Sequence, residues 1–193
     1  MTLLTDAPPE TITIDGEAYR VRTDFRDCIR VLTACEAPDL TQLEKVYRVV
    51  LGYFYIDTPT NTEEALKQAQ IFLNGGKTHE GDSGPRTFDF QKDAEAIYAA
   101  FRQTHGIDLT TAPLHWWQFL ALMRGLDNES DFRQLVGLRY RLKTSKATKE
   151  ERAAAREIRD LIDIEDPDDR TLEEREAEEL FYKLISQGQN KNG

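Results

Sequence analysis

Three histidines, His79, His105 and His115, are the side chains of this sequence best suited to acid–base or metal chemistry. Imidazole titrates near neutral pH and is a common metal ligand, so each could serve as a general base or as a ligand. No two of them have the spacing that places two ligands on one helix face. His115 differs from the others because two tryptophans follow it. An enzyme could use it with nearby carboxylates, but the sequence favours a core or subsite histidine bonded to backbone, and we expect no catalysis.

The segment Asn74–Thr78 ends in Gly-Lys-Thr, as a phosphate-binding loop does. That loop also requires an earlier glycine, five positions before the Gly-Lys pair, where this sequence has Ile71. It must also connect a strand to a helix, whereas the apolar spacing before Asn74 is helical. We therefore predict a glycine-terminated helix here and no bound nucleotide.

Metal-ligating residue types also occur near the C-terminus and in the first predicted helix. The acidic positions are Asp163, Glu165, Asp166, Asp168 and Asp169. A calcium-binding loop needs a glycine at its sixth position, and Pro167 interrupts this run instead. Cys28 and Cys35 lack the spacing of a zinc site or a disulfide framework. We predict a solvated turn, two small core cysteines, and no metal or other cofactor.

Charge limits the classes of partner. The chain has 193 residues and a formal net charge of −10, which argues against a nucleic acid partner. A single basic stretch runs from Arg139 to Arg152. We predict that it docks an acidic protein partner or the chain's own acidic C-terminal part.

Adjacent aromatic residues are the candidate recognition elements. Side chains of helix neighbours point about 100° apart, so Trp116 and Trp117 cannot both face one core unless two sides of the helix are covered. Intramolecular packing and contact with a partner both remain open. Six residues are predicted either to contact a partner or to form the scaffold that supports the contact surface. They are His115, Trp116, Trp117, Phe119, Phe181 and Leu184.

Hydrophobic periodicity predicts the elements that must position these residues. Residues 11–22 alternate around Asp15-Gly16, which predicts a β-hairpin. Helical spacing begins after Asp24, and a second helix is predicted with an apolar stripe. That stripe consists of Leu43, Val46, Tyr47, Val50, Leu51 and Phe54. We predict a mostly α fold, a bundle of about six to eight helices with this small N-terminal hairpin.

Domain organisation follows from composition. Residues 1–143 are predicted to form the helical core domain. Residues 144–193 hold 9 basic and 14 acidic residues and are predicted to form a charged helical extension. One helix is predicted from Thr148 to Ile164 and another from Thr171. No apolar run is long enough for a membrane span and the N-terminus does not resemble a signal peptide, so we expect a cytosolic protein without a membrane partner.

Residues 88–126 contain a series of short motifs. They are, in order, Phe88-Asp89-Phe90, Lys92-Asp93-Ala94, Ile97–Phe101, Gly106–Leu109, Leu114-His115-Trp116-Trp117-Gln118-Phe119 and Gly125-Leu126. In their order and spacing these motifs resemble the phage gene-product-fifteen family of siphophages and prophages of Gram-positive bacteria, and the resemblance covers roughly residues 10–143.

The resemblance implies a non-enzymatic tail assembly chaperone. Such a protein binds the long, helical and apolar tape measure protein, keeps it soluble and recruits the tail-tube protein during tail morphogenesis. It acts in the host bacterial cytoplasm and is absent from the mature virion. A homo-oligomer is left open. The alternative is a structural virion component, a tail terminator or connector subunit.

Overall fold

The computed structural model describes residues 3–78 and 84–164. These residues form a mostly α fold with a two-stranded N-terminal hairpin, which confirms the predicted fold class. They divide into two compact units. The first unit contains residues 3–78 and 114–118, and the second contains residues 84–113 and 119–164.

The hairpin pairs β1 (Thr11–Ile14) with β2 (Glu17–Arg20) in antiparallel register. Its turn is Asp15-Gly16, with φ values of 51° and 85°. Two positive φ angles in a two-residue turn match the right-handed twist of the strands, and glycine adopts them without steric cost. Ile12 and Ile14 are buried, so one face of the hairpin packs inward.

Three helical segments complete the main part of the first unit. Their bounds are α1 (Phe25–Glu36), α2 (Gln42–Glu44, continuing as a π-helix over Lys45–Phe54) and α3 (Thr62–Leu73). The carboxylate of Asp24 accepts the amide of Arg26, which confirms the predicted helix start.

The apolar stripe predicted for the second helix is wrong at two positions. Val46, Val50, Leu51 and Phe54 are buried as expected, but Leu43 is 56% exposed and Tyr47 is 50% exposed. The prediction used the α-helical period of 3.6 residues. The segment from Lys45 onward is π-helical and ends with the Tyr55 amide donating to the Val50 carbonyl, so its residues rotate differently about the axis.

The second unit contains α4 (Ala94–His105), α6 (Asp131–Lys143), α7 (Lys149–Glu157) and α8 (Arg159–Ile162). In the order of the chain, α5 (Trp116–Arg124) comes between α4 and α6, and its first residues belong to the first unit. The single helix predicted from Thr148 to Ile164 is instead two helices. Ile158, with φ −113° and ψ 33°, separates them.

A buried ion pair joins α6 to the residue before α4. The Arg139 guanidinium contacts the Asp93 carboxylate at 2.6 and 2.9 Å, and both side chains are almost fully buried. Arg139 also donates to the carbonyls of Thr87, Leu161 and Ile162. It therefore lies inside the second unit and not on the basic surface where the sequence suggested it.

Several predictions concern residues outside the described ranges. They are the helix from Thr171, the candidate residues Phe181 and Leu184, His79, and most of the acidic run after Asp163. The boundary at residue 143 stays a prediction. Within residues 3–78 and 84–164, no helix is both long and apolar enough to cross a bilayer.

Candidate functional site

The segment Leu114–Phe119, which contains four of the candidate residues, begins with residues that pair with the start of α1. The Phe25 amide donates to the Leu114 carbonyl at 3.1 Å, and the Trp116 amide donates to the Thr23 carbonyl at 2.7 Å. These bonds form a one-residue antiparallel bridge between Asp24 and His115. They bring a segment distant in sequence into the first unit and fix the point at which α5 begins.

Both tryptophans donate hydrogen bonds to the C-terminal end of α3. The Trp116 indole Nε1 lies 2.8 Å from the Leu73 carbonyl oxygen, and the Trp117 indole Nε1 lies 2.9 Å from the Phe72 carbonyl oxygen. The last carbonyls of a helix have no partners within the helix, so the Trp116 indole supplies a donor to the Leu73 carbonyl. The Phe72 carbonyl also accepts the Gly75 amide at 3.0 Å, and the Trp117 indole is an additional donor to it. Trp116 is 1% exposed, and Trp117 is half-buried with its ring 5.7 Å from that of Phe72.

Two glycines end α3 and make room for Trp117. The Gly76 amide donates to the Ile71 carbonyl at 2.9 Å, and Gly75 and Gly76 have φ values of 71° and 80°. This is the Schellman arrangement, which confirms the predicted helix end. A Cβ on Gly76 would lie 2.7 Å from Cη2 of Trp117. Gly76 is thus required both by its backbone conformation and by the adjacent ring.

His115 caps α5 with its side chain. Its Nδ1 lies 3.0 Å from the Trp117 amide nitrogen, and its Nε2 lies 3.0 Å from the Pro9 carbonyl oxygen. An amide N–H can only donate and a carbonyl can only accept, so the network assigns the proton to Nε2. Gln118 completes the cap, because its Oε1 accepts the His115 amide at 3.2 Å.

Burial lowers the pKa of His115 below the ordinary histidine value of 6.5. Its hydrogen bond to the Pro9 carbonyl and the charge of Glu10 act in the opposite direction. The neutral ring is the form that accepts the Trp117 amide. With both nitrogens engaged by backbone, the ring offers no lone pair to a substrate or metal in this conformation. Nor do the described residues group three or more metal-ligating side chains.

Phe119 lies in the second unit, unlike the other three motif candidates. It is fully buried and stacks on Phe101, with ring centroids 5.1 Å apart and an interplanar angle of 5°. His105 packs against the edge of Phe101 and its Nε2 lies 3.0 Å from the Leu122 carbonyl oxygen. Phe119 therefore occupies a core position of the second unit.

The sequence favoured a His115 bonded to backbone, and the structure shows such bonds, but sequence reasoning identified none of the particular partners of these side chains. Trp116, Trp117 and His115 bond to backbone carbonyls and an amide, and every residue carries such groups, so residue types give no sign of them. The Gly75-Gly76 pair was the one usable signal. It indicated a helix end, although not that the indoles would reach it.

The family described as "Bacteriophage Gp15 protein" matches residues 4–164, which is most of the 193-residue chain. The chain belongs to the bacteriophage Gp15 family. No curated protein and no solved structure matches it. The matched region contains the whole Leu114–Phe119 segment, so the geometry described above is that of a Gp15 family member.

Replacing Gly76 with alanine tests the contact between this glycine and Trp117. We expect the free energy of unfolding to fall by about 2–5 kcal/mol, since left-handed strain costs about 1–2 kcal/mol and over-packing about 1–3 kcal/mol. Urea denaturation followed by tryptophan fluorescence measures the change. Gly106→Ala is the matched control, because Gly106 ends α4 at φ 68° with no atom within 4 Å of its Cβ position. Equal losses for the two variants would contradict the contact.

Stability should depend on pH through His115. Its pKa is lowered in the folded state, so the unfolded chain binds the proton more tightly. The contribution of the neutral ring is fully present above about pH 6.5 and declines as the pH falls through the folded pKa. His115→Asn keeps a capping side chain that does not titrate. Urea midpoints at several pH values should show a steeper acid-side decline for the wild-type chain; parallel declines would show that His115 is not responsible.

Proposed function

We propose that the chain is a non-enzymatic tail assembly protein that binds the tape measure protein as a chaperone during phage tail morphogenesis. Membership of the bacteriophage Gp15 family supports a phage role. The observation that carries binding over catalysis is the engagement of both ring nitrogens of His115 by backbone groups. A general base needs one of those nitrogens for its substrate.

The surface best suited to a helical partner lies on α2. Leu43 and Tyr47 are four positions apart, which is slightly more than one turn of an α-helix and slightly less than one turn of a π-helix, so they lie on about the same face of the helical segment. Their side chains are 56% and 50% exposed, far more than the apolar residues of the core. We call this pair the Leu43–Tyr47 ridge. Two apolar side chains at helical spacing can pack against the apolar face of an amphipathic helix.

The polar surroundings of the ridge support the same use. Glu44 and Arg48 form an ion pair at 3.0 Å beside it, also four positions apart. An interface commonly has an apolar centre and a polar rim, and a rim whose charges are already paired does not oppose an apolar partner. The tape measure protein, which the family resemblance describes as long, helical and apolar, is a partner of this chemistry.

Co-expression with the tape measure protein of the same phage tests the proposal. We expect the chain to raise the soluble fraction of the tape measure protein and to co-purify with it. Leu43→Ser/Tyr47→Ser should reduce the co-purified amount by about tenfold, equivalent to about 1.4 kcal/mol of binding free energy. The matched control is Leu4→Ser/Ile56→Ser, which removes two other exposed apolar side chains of the first unit.

A tape measure protein that is no more soluble with the chain than without it would contradict the proposed function. Equal losses for the two double variants would contradict the ridge alone. Mass spectrometry of purified virions gives a separate measurement. A chaperone should be absent from them, whereas a fixed copy number would indicate a structural virion component.

A further inference from the structure

The strand β1 forms the open edge of the N-terminal hairpin. Its partner β2 is paired on both sides, with β1 on one side and the end of the π-helix on the other. On that other side the Arg22 amide donates to the Phe54 carbonyl at 2.9 Å. The Ile56 amide donates to the Arg20 carbonyl, also at 2.9 Å. In the described part of the chain, β2 is the only strand that pairs with β1, so the far side of β1 is unpaired.

The two-residue turn of the hairpin decides which backbone groups of β1 face this open edge. The residues that flank such a turn exchange hydrogen bonds, and every second residue of an antiparallel strand bonds to the same neighbour. The Val21 amide donates to the Glu10 carbonyl at 3.2 Å, which continues this alternation. The amides and carbonyls of Thr11 and Thr13 therefore point away from β2. Among the described residues, nothing forms a hydrogen bond with these outward groups.

The side chains of β1 also suit a neighbouring strand. Ile12 and Ile14 are buried on the face of the hairpin that packs inward, whereas Thr11 and Thr13 are exposed on the opposite face. Threonine is β-branched and uncharged, so it favours an extended neighbour and brings no like charge opposite it. Proteins usually protect an open edge with a charged residue or a proline, and the four residues of β1 include neither.

The open edge is complementary to a second copy of itself. When Thr11 of one copy lies opposite Thr13 of the other in an antiparallel pair, all the outward amides and carbonyls of both strands are bonded. A shift of one residue brings outward groups opposite inward groups. A shift of two residues in one direction places Thr13 opposite Pro9, which has no amide hydrogen and whose carbonyl already accepts Nε2 of His115. The opposite shift places Thr11 beside Asp15, which lies in the turn with φ 51°. One register therefore satisfies the edge.

We propose that two copies of the chain associate through their β1 strands in this register. The two hairpins then form one continuous antiparallel sheet. Four-residue strands make a contact far smaller than the about 1,200 Å² of a stable interface, so the dimer is weak and reversible, with a dissociation constant on the order of 0.1 mM. Each copy carries one Leu43–Tyr47 ridge, so the dimer carries two. The proposal is independent of the chaperone role, since it concerns only copies of this chain.

Amide hydrogen exchange of the unmodified chain at several concentrations tests this proposal. The outward amides of Thr11 and Thr13 gain partners only in the dimer, whereas the amides of Ile12 and Ile14 are bonded to β2 in every copy. We expect exchange of the outward amides to slow by about fourfold between about 10 µM and 1 mM chain, which follows from the dissociation constant, with little change at the inward amides. Exchange of the outward amides that does not depend on concentration would overturn the proposal, whether it is fast or slow.

A mixture of ¹³C-labelled and unlabelled chains identifies the partner strand. In the proposed register Ile12 lies opposite Ile12 of the other copy as a pair without hydrogen bonds, where the backbones of antiparallel strands approach most closely. Isotope-filtered NOE spectra should therefore show a contact between the two Ile12 α-protons, one from a labelled and one from an unlabelled chain. A dimer that lacks this contact forms through another surface and would contradict the proposal.

Two variants of Thr13 separate its backbone from its side chain. Thr13→Pro removes the outward amide and none of the bonds between β1 and β2, and proline is tolerated at such an edge position. It should raise the dissociation constant, measured by sedimentation equilibrium, by at least about tenfold, because it removes half of the bonds between the two copies. Thr13→Val is the matched control, since it keeps the amide and the β-branched shape, and should leave the constant within about twofold. Circular dichroism checks that each variant is folded. Equal constants for wild type and folded Thr13→Pro would overturn the proposal, and the exchange measurement on the unmodified chain decides it if Thr13→Pro does not fold.

Discussion

The last carbonyl groups of α3 lack partners within the helix, and two tryptophan indoles supply hydrogen bonds to them. The Phe72 carbonyl also accepts the Gly75 amide, so the cost of about 1–3 kcal/mol for a buried carbonyl without a partner applies to the bond from Trp116 to the Leu73 carbonyl. Both indoles reach the end of α3 from the first turn of α5, and His115 caps that turn by accepting the Trp117 amide. His115 is in turn held by Pro9 and by the bridge to Asp24. Three distant parts of the chain, namely Pro9, Asp24 and the end of α3, are thereby tied to one short segment.

This constraint affects how function can be assigned. The sequence marked one histidine and two tryptophans as the best candidates for chemistry or recognition. In the structure their polar side-chain atoms form hydrogen bonds with backbone groups. The proposed recognition of a partner is therefore assigned to another surface of the first unit. The Leu43–Tyr47 ridge is apolar and has a polar rim whose charges are paired.

Local rules predicted much of the fold. Asp15-Gly16 indicated the hairpin, Asp24 the start of α1 and Gly75-Gly76 the end of α3, because each depends on the backbone preferences of one or two residues. Interactions between distant residues could not be predicted in this way. The Asp93–Arg139 pair spans 46 positions, and nothing in the sequence marks these two charges as partners. The π-helix was not predicted either, because the hydrophobic pattern was evaluated with the α-helical period. The π-helical period changes which apolar residues of this segment are buried.

The tryptophan pair shows the same limit at the candidate site. Neighbouring side chains on a helix point in different directions, so the sequence left open whether each tryptophan packs within the chain or contacts a partner. Both indoles bond to successive carbonyls at one helix end, because they occupy the first turn of α5 and α3 ends beside them. Phe119 follows the usual expectation more closely and contributes to the core of the second unit. The motif is therefore a structural element before it is a recognition surface.

Hydrogen exchange at the two indole N–H groups tests this account most directly. The chain contains only two tryptophans, so a ¹⁵N-labelled sample gives two indole signals. If both groups are bonded to the end of α3, both signals should persist in deuterated buffer for far longer than that of a solvent-exposed indole. Exchange of both signals at the unprotected rate in the folded protein would contradict the account.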